Sequence, residues 1–181
     1  MRRKGLRAFP AGFSATELMV ILLILGILVA IAIPSFQYLI RNYRLTTTAN
    51  ALFSAVNLAR SEAIHRGVRV DLVPAGDGTS WSTGWIVFID ENDNQRPDAT
   101  EVVIARHEPL PRDLTISARF TDSKVQYLAF NGSGRSRTNA SSQASQSGSW
   151  LLESGPHTRK VIVNFLGRPR VCNPVTEPST C

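Results

Sequence analysis

Arg168 and Arg170 stand two residues apart in GRPR, Gly167 to Arg170. In an extended chain residues at that spacing face the same way, and Pro169 stiffens the backbone between them. Two guanidinium groups presented together can fork onto phosphate oxygens, and with little acid nearby they form a sequence-independent footprint for nucleic acid. Arg159 and Lys160 lie on the preceding stretch, and Arg135 and Arg137 repeat the two-residue spacing. A merely solvated basic surface is the competing reading of these six residues.

Glu17 poses a different chemical question. It stands at the head of an unbroken apolar run, Leu18 to Ile33, where an unpaired charge at membrane depth costs about 3 kcal/mol and reads as functional. Its natural partner is an amine. Cleavage between Gly12 and Phe13 would create one, a new α-amino group four residues away on a helix whose first turn cannot satisfy all its donors.

Three further groups of residues bear on chemistry. Cys172 and Cys181, an even pair, read as a disulfide if the chain is exported; closing so short a loop stabilises the tail by about 2.5 to 3 kcal/mol on the entropic account. Two cysteines alone do not make a structural zinc site. Asp90, Asn92, Asn94, Asp98 and Glu101 match the oxygen-ligand spacing of an EF-hand calcium loop, but Gln95 replaces its glycine and strand-like segments flank it, so a polar connection is expected. His65, His107 and His157 sit in unrelated segments without a nucleophile or acid-base arrangement, and no enzyme, metal or cofactor site is expected.

These residues need elements to position them. Counted from Phe13, the apolar run reaches 21 residues, roughly 30 Å of helix and enough to span a bilayer. Arg2, Arg3, Lys4 and Arg7 ahead of it, with no acid, hold the N-terminus in the cytoplasm. A secretory signal peptide with an A-x-A-like Ala30 to Ala32 is the alternative. Past Pro34, Leu45, Ala49, Leu52, Val56, Ala59 and Ala63 form one apolar stripe that ends at Gly67. One helix is therefore expected from Phe13 to about His65, with a kink at Pro34. After Gly67 six segments, VRVDLVP, GWIVFID, EVVIARHEPL, LTISARF, VQYLAFNGSG and KVIVNFLG, mix β-branched and aromatic residues between turn residues and predict antiparallel sheet. A helix on such a sheet makes an α+β domain. Residues 132–149, rich in Ser, Gln, Asn and Gly, read as a mobile loop, with Trp150 resuming the core.

Charge is unevenly placed. The chain carries +6, but only +2 without the first 12 residues; residues 13–111 hold −3 and residues 112–181 hold +5. The far end is the basic end.

Basic leader, Gly12, Phe13, Glu17 and apolar stretch together resemble the class III signal of type IV pilins and pseudopilins, usually G-F-T-L-x-E. Ala15 and Thr16 depart from that form. The resemblance implies a leader, 1–12, removed by the prepilin peptidase, N-methylation of Phe13, and pairing of Glu17 with the N-terminus of a neighbouring subunit. It implies an assembly helix over 13–34, an amphipathic second half over 35–67 and a β-rich part over 68–181. The product would be single-pass in the bacterial inner membrane with its C-terminal domain periplasmic, and extracellular once in a pilus. NLARSEAIHRG followed by GWIVFIDEND is similar to the GspH/FimT branch of minor pilins and pseudopilins, and the likeness runs nearly end to end. GRPR further resembles the G-R-x-R of FimT pilins, whose arginines are implicated in binding double-stranded DNA during natural transformation. By that likeness Arg168 and Arg170 are primary contacts, supported by Lys160 and Arg159, then Arg135 and Arg137. Three roles stay open: a DNA-capturing minor pilin, a structural minor pilin or type II secretion pseudopilin of GspH or FimU kind, and a secreted domain released by signal peptidase.

Overall fold

A computed structural model describes residues 12–181, so the leader residues Arg2, Arg3, Lys4 and Arg7 lie outside it. Helix α1, Ala15–Arg66, runs through Pro34. The chain divides into two units, the first ending at Ile40 and the second spanning Arg41–Cys181. In the first, every side chain from Leu18 to Ile33 is exposed, which for so apolar a stretch signals a surface meant for lipid or protein.

In the second unit the helix buries Leu45, Ala49, Leu52, Val56, Ala59 and Ala63, the six stripe positions, together with Thr48 and Ala55. The helix stops because Gly67 takes φ +71°, a left-handed turn that a residue with a Cβ enters at a cost, while its N–H still donates to the Ala63 carbonyl at 2.9 Å.

Nine strands follow: β1 Val70–Pro74, β2 Trp85–Ile89, β3 Val103–His107, β4 Thr115–Phe120, β5 Leu128–Phe130, β6 Ser136–Arg137, β7 Gly148–Ser154, β8 His157–Val163 and β9 Pro169–Cys172. They form two antiparallel sheets, β3-β2-β1-β5-β6 and β4-β7-β8-β9, where the segment pattern alone had suggested one. Val70, Leu72, Val87, Leu128 and Phe130 from the first sheet and Trp150, Leu152, Val161 and Val163 from the second share one core with the helix stripe. Trp150 is fully buried and meets Trp81 and Phe120 edge-on, at ring-centre distances of 5.1 and 5.0 Å. The back of the first sheet is also covered, with Val73, Phe88, Tyr127 and Ala129 buried there.

Most of the segment 132–149, expected as a mobile loop, is turn and irregular backbone, with short strand pieces at Ser136–Arg137 and from Gly148. Gln146 is fully buried with its Nε2 donating to the Tyr127 carbonyl at 3.0 Å. Ser136, Arg137, Thr138 and Gln146 donate to backbone carbonyls, an arrangement that composition does not reveal.

Cys172 and Cys181 are bonded, with Cα atoms 5.8 Å apart. Reducing the bond in the Arg41–Cys181 unit is expected to add two hydrogens to its mass and to destabilise it by about 2.7 kcal/mol in urea unfolding. Equal stability of the reduced and oxidised forms would show that the tail contributes nothing to the fold.

Candidate functional site

The pairing of the second sheet decides which basic residues meet. Val161 and Val163 point into the core, so Lys160 and Ile162, which alternate with them, lie on the outer face. Opposite Ile162 are Ser149 on β7 and Arg170 on β9, and opposite Ser149 is Arg119 on β4. Arg119, Ser149, Ile162 and Arg170 thus make one row across four strands, about 14 Å from end to end. Arg168 extends the β8–β9 ladder by one pair, its carbonyl accepting from Asn164 N at 3.2 Å. Together with Ile162, Asn164 and Arg170 it lines a depression of about 350 Å³.

Arg119, Arg168 and Arg170 are all exposed, and among the described residues their guanidinium groups have no hydrogen-bond or ion-pair partner. Lys160, one row away, is half-buried and donates to the Cys181 carbonyl at 3.2 Å, which ties the disulfide-closed tail to this face. Glu153, two rows from Arg119, is the acidic side chain on the same side of β7. On the outer rows of these four strands the charged side chains are Arg119, Lys160, Arg168 and Arg170 against Glu153.

The other sequence candidates go elsewhere. Arg159 alternates to the inner side of β8, where it donates to Asn42 Oδ1 at 3.3 Å and to the Thr158 carbonyl. Arg137 is mostly buried, 3.6 Å from the Asp93 carboxylate. Arg135 is exposed, but in the β5–β6 turn of the first sheet. Arg119 was not singled out in the sequence. Its alternation within LTISARF puts it on a solvent face, but only the β4–β7 register places it beside Arg170.

A second charged cluster, also missed, sits on the back of the first sheet. Arg69 donates to both oxygens of the fully buried Asp71, at 2.7 and 2.6 Å, lies 3.1 Å from Asp90, and reaches Asp93 and Asn139 as well. Asp90 holds its loop by accepting from the N–H groups of Asn94 and Gln95. Within the connection from Asp90 to Glu101 the polar side chains bond one another and the loop backbone. Asn92 and Asn94 donate to Asp98, and Glu101 accepts from the N–H groups of Glu91 and Asp98. Among the described residues no group of His, Cys, Asp or Glu is placed to hold a metal ion.

At the other end of the chain, Glu17 accepts from the Ser14 backbone N–H at 2.9 Å, and Ser14 Oγ accepts from Thr16 N at 3.2 Å. Ser14 to Glu17 is therefore a capping box, S-x-x-E, in which the carboxylate satisfies a donor of its own helix start. Gly12 and Phe13 precede that box, both exposed.

Residues 48–167 match the family described as Type II transport protein GspH. The pilin-like protein PilA1 of Thermus thermophilus is 29% identical over 164 residues, covering 88% of this chain and 97% of that protein. Among solved structures, the type IV minor pilin FimU of Pseudomonas aeruginosa aligns with a TM-score of 0.55 at 18% identity, covering 71% of this chain and 92% of its own. The minor pseudopilin EpsH from the type 2 secretion system of Vibrio cholerae aligns at 0.53 and 14%, covering 72% and 98%. Arg168 and Arg170 fall just beyond the family match. With a long apolar helix leading into two antiparallel sheets and a match over most of its length, the chain belongs to the GspH family of structural, non-enzymatic proteins and has the fold of the type IV minor pilins and pseudopilins.

Proposed function

We propose that the chain is a minor type IV pilin that joins a pilus and binds duplex DNA without sequence preference, for uptake in natural transformation. The observation that carries the DNA reading is the outer face of the second sheet, where Arg119, Arg168 and Arg170 stand exposed and, among the described residues, unpaired, with Lys160 beside them. A row about 14 Å long matches the roughly 12 Å width of the major groove, so its ends can reach phosphates on both strands. No side chain pattern there reads base edges, which suits sequence-independent capture. The test is binding of a duplex by Arg41–Cys181, a unit with its own core and disulfide.

A structural role in priming or capping a pilus or a type II secretion filament is the second reading, favoured by the GspH match and the fold shared with EpsH. It needs no DNA binding, and the same titration separates the two.

In either role the chain is cut after Gly12 by the prepilin peptidase, methylated at Phe13 and anchored by one span in the inner membrane, its C-terminal unit in the periplasm before assembly. Support comes from the apolar helix, long enough to cross a bilayer, and from the exposed Gly12-Phe13 bond ahead of it. Mass spectrometry of the membrane form should give an N-methylated Phe13 terminus; an N-terminus at Met1 or beside Ile33 would overturn the processing step.

Glu17 then has two possible duties, capping its own helix or pairing with a neighbour's new amine. Gln keeps the cap and loses the charge. Glu17→Gln is expected to insert normally but to enter filaments several-fold less than wild type, as Glu17→Ala does. Normal incorporation of the Gln variant would leave Glu17 with the capping role alone.

A further inference from the structure

The β8–β9 turn places apolar side chains at its tip, beside the arginines: Phe165 is 61% exposed and Leu166 36%. A single exposed Phe is ordinary on a protein surface, but this turn is firmly built. Asn164 Oδ1 accepts from the backbone N–H groups of Leu166 and Arg168, each at 3.0 Å, while Gly167 N donates to the Asn164 carbonyl at 2.9 Å. Gly167 has φ +74°, and a Cβ there would come within 2.6 Å of Phe130 in the core, so the turn is seated where only glycine fits. The Phe165 carbonyl accepts from the buried Ser136 Oγ at 3.1 Å, which fastens the tip to β6.

Phe165 is thus held out by its backbone, with little freedom left to lose on binding. Its surroundings, residues 164–170, hold two arginines and no acid. An aromatic ring gains nothing from phosphates; within a polyanion it can be buried only among bases. Resting on the DNA reading above, we infer that Phe165 is an apolar wedge that enters the minor groove and partly unstacks a base step, while Arg168 and Arg170 hold the flanking phosphates. The charge of the tip selects the partner class and the ring selects the depth of contact.

The experiment titrates the Arg41–Cys181 unit and its Phe165→Ala and Phe165→Trp variants with two duplexes, one matched and one carrying a central mismatch flanked by 2-aminopurine. Wild type should bind the mismatched duplex about tenfold more tightly, because a mismatched step is cheaper to open, and should brighten the probe. Phe165→Ala should lose both effects yet bind the matched duplex within about threefold of wild type and with an unchanged salt slope, since phosphate contacts set that slope. Phe165→Trp should keep both. Equal binding of the two duplexes by wild type, or a preference that survives in Phe165→Ala, overturns the wedge and leaves the DNA reading standing. Absence of binding to either duplex overturns both. Vesicles of phosphatidylglycerol serve as a further arm: if Phe165→Ala loses vesicle binding while DNA binding is unaltered, the tip is a lipid contact and the wedge is overturned.

Discussion

Replacing Arg168 and Arg170 together by Gln is expected to lower duplex affinity of the Arg41–Cys181 unit about sixtyfold at 100 mM salt. The size follows from counterion release: each phosphate neutralised contributes about 0.9 to the slope of log K against log salt, hence about 0.9 decades per contact at that salt. With four cations on the face, Arg119, Lys160, Arg168 and Arg170, the wild-type slope should be near −3.6. Affinity should then fall about a hundredfold between 50 and 200 mM. The double Gln variant should show a slope near −1.8, and Arg119→Gln alone one near −2.7. Arg159→Gln should leave the slope unchanged, because that side chain turns inward to Asn42. Replacing both arginines by Lys should restore only part of the affinity, since an ammonium lacks the fork. The fold should survive these changes, because both side chains are exposed and without partners among the described residues. A wild-type unit that fails to shift DNA at low salt, or a double Gln variant that binds as wild type does, assigns the chain to the purely structural role.

The largest effect on stability is expected from Arg69→Met. The guanidinium is buried with Asp71 and Asp90, themselves 0% and 3% exposed, and it serves both. Removing it leaves two buried acidic side chains without their guanidinium partner, a change that costs about 3 to 5 kcal/mol. In a unit of this size that is a fall of roughly 10 to 15 °C in the melting temperature. The same cluster gives stability a pH dependence. Burial pushes the Asp71 carboxyl up to about 7, against the pull of Arg69 and with a further push from the Asp90 charge. Because the folded state then holds a proton that the unfolded chain gives up near pH 4, the contribution of this group is full below about pH 4. It is lost as pH rises towards 7. Urea unfolding at pH 5 and pH 8 should find wild type weaker at pH 8 and Asp71→Asn much less affected. A wild-type stability that rises over that range would show that Asp71 is ionised in the folded state. Either result also bears on the loop from Asp90 onwards, since Asp90 and Asp93 fasten it to the same guanidinium.

What the sequence determined by itself is local. The apolar stripe from Leu45 to Ala63 fixed one face of a helix by its spacing, and Gly67 ended it, because a 3.6-residue period and a left-handed stop depend only on neighbours in the chain. Glu17 and Ser14 three residues earlier likewise held a capping box legible in four letters. The common direction of Arg168 and Arg170 is local too, as is the short disulfide loop behind them. What only the tertiary structure decided depends on pairings between distant segments. Strands that each satisfy the same alternation can share one sheet or be divided between two, and their order is chosen by how the core fills, which no single segment encodes. That choice brought Arg119 from β4 into line with Arg170 on β9, turned Arg159 inward, and placed Arg137 on Asp93. It also brought Asp90 to Arg69 and Asp71 across the β1–β2 pair, so that groups reading as ordinary surface charge in the chain became one buried cluster. A charge is inexpensive to leave in water and costly to bury alone; only the folded chain reveals which of these charges had to find one another.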